Sequence, residues 1–116
     1  MLTYGDYVSK ILELAKFLVV DERIQNKISV VLSFSQSGMA PVAFIRLKRM
    51  YVENSIESEI EFWQHPHEDD IMYIFASAGF IEPTGTPIFL IDSEWFKCVD
   101  VDDAKVVIEK IIELYE

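Results

Sequence analysis

The side chains best placed for chemistry are two imidazoles, His65 and His67, which flank Pro66 and are followed by Glu68, Asp69 and Asp70. Side chains two apart on an extended segment share a face. Both rings can therefore meet one divalent cation, with Glu68 or Asp69 as an oxygen ligand, and a metal-dependent enzyme centred on His65, His67 and Glu68 is one class this pattern allows. Proline is nevertheless a poor central residue for a paired strand, so the segment reads first as a polar turn at a strand end. Asp100, Asp102 and Asp103 lack the glycine and terminal glutamate of a calcium loop and suit a helix start instead. Cys98 is the one cysteine. The nearby Asp100 carboxylate raises a thiol's pKa, which makes Cys98 a poor nucleophile and a better core or interface residue. No Gly-rich phosphate loop and no nucleophile elbow are present. No cofactor is expected, and no catalytic set stands out.

Aromatic residues point to contact rather than catalysis. Trp63 continues the alternation of Glu57, Glu59 and Glu61 and so falls on an outer sheet face. A large ring there more often anchors an interface than decorates a surface; burial in the core after a register bulge is the alternative. Trp95, and Phe80 close to the Pro83-Thr84-Gly85 turn, are the further apolar contact candidates.

Charge narrows the choice of partner. The 116 residues carry 20 acidic and 10 basic side chains, a net of −10. Residues 1–58 hold seven basic and six acidic residues, whereas residues 59–116 hold three and fourteen, so the excess lies in the second half. Such a surface repels phosphate backbones and disfavours nucleic acid. Much of the charge is solvated decoration, and the remainder suits a basic protein partner. No apolar run approaches the roughly 20 residues of a membrane span, and no secretion signal opens the chain. A cytoplasmic protein without a membrane partner is expected.

These residues must be positioned by elements that the spacing predicts. With 51% of its residues apolar or aromatic, the chain can build one core as a single domain over residues 1–116. Val8, Ile11, Leu12, Ala15, Leu18 and Val19 recur at helical spacing, and Thr3 with Asp6 resembles a capping box. Ile28, Val30, Leu32 and Phe34 alternate with serines in a first strand. Val42–Met50 makes a second, with Ala43, Ile45 and Leu47 inward and Arg46 and Lys48 outward. In a third, Ile56, Ser58, Ile60 and Phe62 alternate with glutamates, so Arg46 and Lys48 lie across a hairpin from Glu57, Glu59 and Glu61. Acidic residues at 68–70 and Gly79 favour a short buried helix over 68–81, while the apolar run Ile71–Phe75, rich in strand formers, allows a buried strand there instead. Thr86–Ile91 and Glu94–Val99 read as a hairpin turning at Asp92-Ser93, before a final helix capped by Asp100 with Ala104, Val107, Ile108, Ile111 and Tyr115 buried. The fold class is α+β, an antiparallel sheet of about five strands with helices on one face.

Two resemblances accompany this order. Gly85-Thr86-Pro87-Ile88-Phe89-Leu90-Ile91-Asp92 resembles the Thr-Pro segment by which thioredoxin-like domains enter their closing hairpin and helix. In that family the proline is cis and faces redox cysteines. Pro87 matches but no Cys-x-x-Cys exists here, so the resemblance implies a redox-inactive relative with an α/β fold as the alternative. The whole-chain order of helix, three strands, helix, hairpin and helix resembles the small acidic type III secretion chaperones. That likeness implies a dimeric clamp that binds extended partner segments without chemistry. The His-Pro-His spacing is superficially similar to the metal motif of rolling-circle nucleases, yet Tyr73 follows too soon and the acidity opposes DNA. A non-enzymatic interaction module, paired as a homodimer, is the expected function.

Overall fold

Thr3 starts the first helix as its type and spacing require. Its hydroxyl accepts from the Asp6 backbone N–H at 3.2 Å, and the Asp6 carboxylate accepts from the Thr3 N–H at 2.8 Å. Two otherwise unpaired amides of the first turn are thereby satisfied. Helix α1 runs Tyr4–Val19 and a single turn, α2, spans Glu22–Gln25. Five strands follow, β1 Ile28–Phe34, β2 Ala43–Met50, β3 Ser55–Gln64, β4 Met72–Ile81 and β5 Pro87–Cys98, and α3 Val101–Glu113 closes the chain. The computed structural model describes residues 3–25, 28–34, 42–50, 54–64, 71–82, 84 and 87–115, with only the backbone for Phe80, Pro87, Phe89, Asp92 and Ser93.

The strands form one sheet in the order β1-β2-β3-β4-β5, every neighbour antiparallel. An antiparallel meander with helices gathered on one face is an α+β architecture. The thioredoxin-like alternative finds no support in this pairing, since no parallel pair occurs among the described residues.

Two sequence expectations are corrected here. The stretch expected as a helix over 68–81 is strand β4 from Met72 onward. Its small residues explain the error: Ala76 and Ala78 are buried between β3 and β5, where a central strand accepts poor strand formers if their size fits. The expected hairpin across Asp92-Ser93 is instead one twelve-residue strand. Ala76 pairs with Glu94 while Ala78 pairs with Ile91, and Gly79 with Phe89, so the surplus residues of β5 are taken up as bulges. The strand count of five survives because these two errors compensate. The middle helix on which the element-order likeness to type III secretion chaperones rests is thereby a strand.

The helices close one face. Helix α1 buries Tyr7, Ile11, Leu14 and Leu18, whereas the expected Leu12 and Val19 are exposed. Two overlapping apolar stripes exist on this helix, and periodicity alone does not rank them. The Tyr7 hydroxyl, donating to the Ile71 carbonyl at 3.0 Å, belongs to the stripe that wins. Helix α3 is capped by Asp100, which accepts from the Asp103 N–H at 2.9 Å, and buries the stripe expected of it. Near its end the Tyr115 hydroxyl reaches Ser58 Oγ at 2.7 Å and the Leu47 carbonyl at 3.4 Å. Both Ser58 and Tyr115 are buried, so this pair satisfies the one polar side chain that β3 turns into the middle of the core. Between helices and sheet lie Ile45, Leu47, Ile60, Phe62 and Ile74, all essentially without solvent contact. Each such side chain contributes about 1.5–3 kcal/mol by leaving water.

Candidate functional site

With the helices on one side, strand alternation turns Arg46, Lys48, Glu57, Glu59, Glu61, Trp63, Tyr73, Phe75 and Trp95 to the other. Register places them in rows: Lys48 beside Glu57, Arg46 beside Glu59, Phe44 beside Glu61 and Phe75, and Trp63 beside Tyr73. Each is partly or largely exposed, while the residues between them are buried. This open face has two ends of different chemistry.

One end is a charge ladder. Arg46 Nε meets Glu59 Oε2 at 3.1 Å and Lys48 Nζ meets Glu57 Oε1 at 3.6 Å, as the hairpin spacing predicts. Both pairs are exposed, so each contributes only about a few tenths of a kcal/mol and chiefly fixes register. With Ser29, Val31, Ser77 and Gly79 they line a groove of about 390 Å³. Glu61, the third expected rung, instead accepts from the Trp63 indole N–H at 3.0 Å. Arg46 also stacks its guanidinium over Phe44, 4.3 Å from the ring centre.

The other end is aromatic. Trp95 sits at the centre of four rings, 6.0 Å from Trp63 at 61°, 5.5 Å from Tyr73 at 71° and 4.6 Å from Phe75 at 47°. The Trp63 and Tyr73 pairs are edge-to-face and the Phe75 pair is tilted, geometries in which aromatic rings hold each other in place. Trp63, Gln64, Tyr73 and Trp95 line a depression of about 480 Å³, and Trp95 remains 54% exposed. Trp63 and Trp95, far apart in sequence, are thus brought together on the outer face. Phe80 belongs to the other end of β4, its backbone opposite Ile56 and Ile88, and is not part of this cluster. Tyr73 and Phe75 are the members that sequence reasoning missed. Their alternation with Ile74 and Ala76 is the signal, and it becomes visible only when 72–81 is read as a strand.

The remaining candidates divide cleanly. His65, His67 and Glu68 lie outside the described residues, and among the described residues no three His, Cys, Asp or Glu side chains converge. Cys98 is buried, and that burial, reinforced by Asp103 and Asp100, pushes its thiol up to about 11. It stays protonated and inert at neutral pH. Asp100 and Asp103 serve the α3 cap as expected, Asp103 also accepting from the Val99 N–H at 3.0 Å. Asp21 is held down at about 2 by hydrogen bonds from Arg23, which also reaches Glu109 at 2.8 Å and so ties α2 to α3. The ring faces exposed on this sheet face can take apolar groups or cations.

Comparison of the chain with family models, curated proteins and solved structures finds no match.

Proposed function

We propose that this domain acts by contact, without chemistry, and that the aromatic end of its open sheet face receives a basic segment of a partner protein. The supporting observation is the four-ring cluster around Trp95, half exposed on a face that no described helix covers. Tryptophan and tyrosine supply much of the binding energy at protein interfaces because they bury large rigid surfaces at low entropic cost. Their faces also attract lysine and arginine. The cluster is drawn entirely from residues 59–116, the half that holds fourteen acidic residues against three basic ones. A long-range field of that sign gathers a basic segment, and the rings then hold it. An extended segment fits the flat face of a sheet. No described helix is long and apolar enough to cross a membrane.

A peptide array of basic, acidic and neutral sequences with equal aliphatic content tests the proposal. Basic peptides bind preferentially, and Trp95→Ala abolishes that preference while the circular dichroism spectrum is unchanged. Equal retention of acidic peptides, or binding indifferent to Trp95→Ala, contradicts it.

A further inference from the structure

The edge of the sheet formed by β1 differs from the edge formed by β5. Its sequence, Ile28-Ser29-Val30-Val31-Leu32-Ser33-Phe34, contains no charge, no proline and no glycine. Its pairing with β2 runs without a register break from Ile28↔Arg49 to Phe34↔Ala43. Among the described residues no strand pairs with its far side. Ile28, Val30 and Leu32 pack on the core yet are only partly buried, and Val31 on the opposite face is 49% exposed. A regular, uncharged, apolar edge is the kind that proteins normally protect. The other edge, β5, is protected: it opens with Pro87, carries two register irregularities and exposes Glu94 and Lys97.

The residue order of β1 is symmetric about Val31. Reading outward in both directions gives Val30 and Leu32, then Ser29 and Ser33, then Ile28 and Phe34. We propose that β1 pairs antiparallel with β1 of a second copy of this chain, with Val31 on the two-fold axis. In that register Val30 meets Leu32, Ser29 meets Ser33 and Ile28 meets Phe34. Each face of one strand finds its like on the other, and a one-residue slip would set apolar side chains against serines. The core-facing row of one copy continues into that of its neighbour, and the half-buried Ile28, Val30 and Leu32 are covered.

Charge supports this occupant. The chain's net of −10 opposes self-association, but residues 1–58, which include β1, carry one more basic than acidic residue. Two copies meeting at β1 keep their acidic halves apart, beyond the roughly 8 Å over which charges act at physiological ionic strength. Because β5 refuses a strand, the assembly stops at a closed dimer with a continuous sheet. Its open face carries two aromatic clusters, one at each end. A single strand pair is a small interface, so self-association is expected on the order of tens to hundreds of micromolar. The pairing at β1 is independent of the partner-binding surface proposed above.

Sedimentation equilibrium of the full chain, of Val31→Lys, of Val31→Glu and of an equimolar mixture of the two variants tests the proposal. Val31 points to solvent, so both variants keep the fold, and like charges facing each other across the axis separate the copies. Wild type approaches dimer mass with rising concentration, each variant alone stays monomeric, and the mixture recovers the dimer. A wild type that is monomeric at roughly 1 mM overturns the proposal. So does a dimer that survives Val31→Lys, which would place the contact elsewhere, or a mixture that fails to recover. Should a variant not fold, Val31→Cys decides: under oxidation it crosslinks to itself, whereas Ser33→Cys, facing Ser29 of the other copy, does not. The reverse pattern rejects the register.

Discussion

The two edges of this sheet obey opposite rules. Strand β5 begins with proline, bulges twice and sets Glu94 and Lys97 toward water. Strand β1 is regular, uncharged and symmetric in sequence. One edge therefore discourages backbone pairing and the other invites it. Yet β5 is not inert, because it lifts Trp95 into the ring cluster on the open face. In the proposed reading, recognition at β5 would run through side chains and at β1 through backbone hydrogen bonds. A small meander would then separate self-association from partner binding by placing them on opposite edges, about as far apart as the sheet permits.

The sharpest way to break this comparison is a double dissociation. Trp95→Ala removes the central ring and costs about 2 kcal/mol or more of partner affinity, over tenfold, while dimer mass is unchanged. Val31→Lys does the reverse. If either variant removes both properties, the two surfaces are not separate. Next in size is the shared support. Tyr115→Phe leaves Ser58 short of a partner in the core and lowers unfolding stability in urea by about 1–3 kcal/mol. Glu59→Ala, on the open face, costs less than about 1 kcal/mol. Equal costs would mean the charge ladder carries structural weight not evident from its exposure.

Salt separates the surfaces more gently. At low salt, where charges act over roughly 30 Å, screening relieves repulsion between two chains of net −10, so the β1 dimer tightens a few-fold as ionic strength rises from about 0.01 M to about 0.15 M. The same screening weakens capture of basic peptides a few-fold. Parallel responses in titrations of both would merge the two surfaces into one. The smallest effect concerns α2. The folded Asp21 pKa of about 2 lies below its ordinary 3.8. The stability it contributes is therefore full above pH 3.8 and is lost as pH falls toward 2. Asp21→Asn removes that component of the acid titration, and an unchanged profile would place the sensitivity elsewhere.

Much of this molecule was legible in its sequence for a physical reason. Where inward apolar residues recur at every second position, as at Ile28, Val30 and Leu32 or at Ile56, Ile60 and Phe62, strand and facing follow together. The Thr3 and Asp100 caps were readable because each names its hydrogen-bond partner three residues on. Strand β4 was hidden because Ala76, Ser77, Ala78 and Gly79 are chosen for size between neighbouring strands, not for strand propensity. Misreading it concealed Tyr73 and Phe75, and with them half of the aromatic cluster. Trp63 and Trp95 were identifiable one by one as contact residues. That they touch depends on β4 lying between β3 and β5, and no local pattern carries that. The symmetry of β1 was present in the sequence throughout, but it acquires meaning only once β1 is known to be an edge.

The most direct test of the account is an isotope-filtered nuclear Overhauser measurement on a mixture of labelled and unlabelled chains at dimer-forming concentration. Methyl contacts between Val30 of one copy and Leu32 of the other, with Val31 in contact with its own counterpart, are the predicted result. Intermolecular contacts from the rings of Trp63 or Trp95, with none from β1, would contradict it.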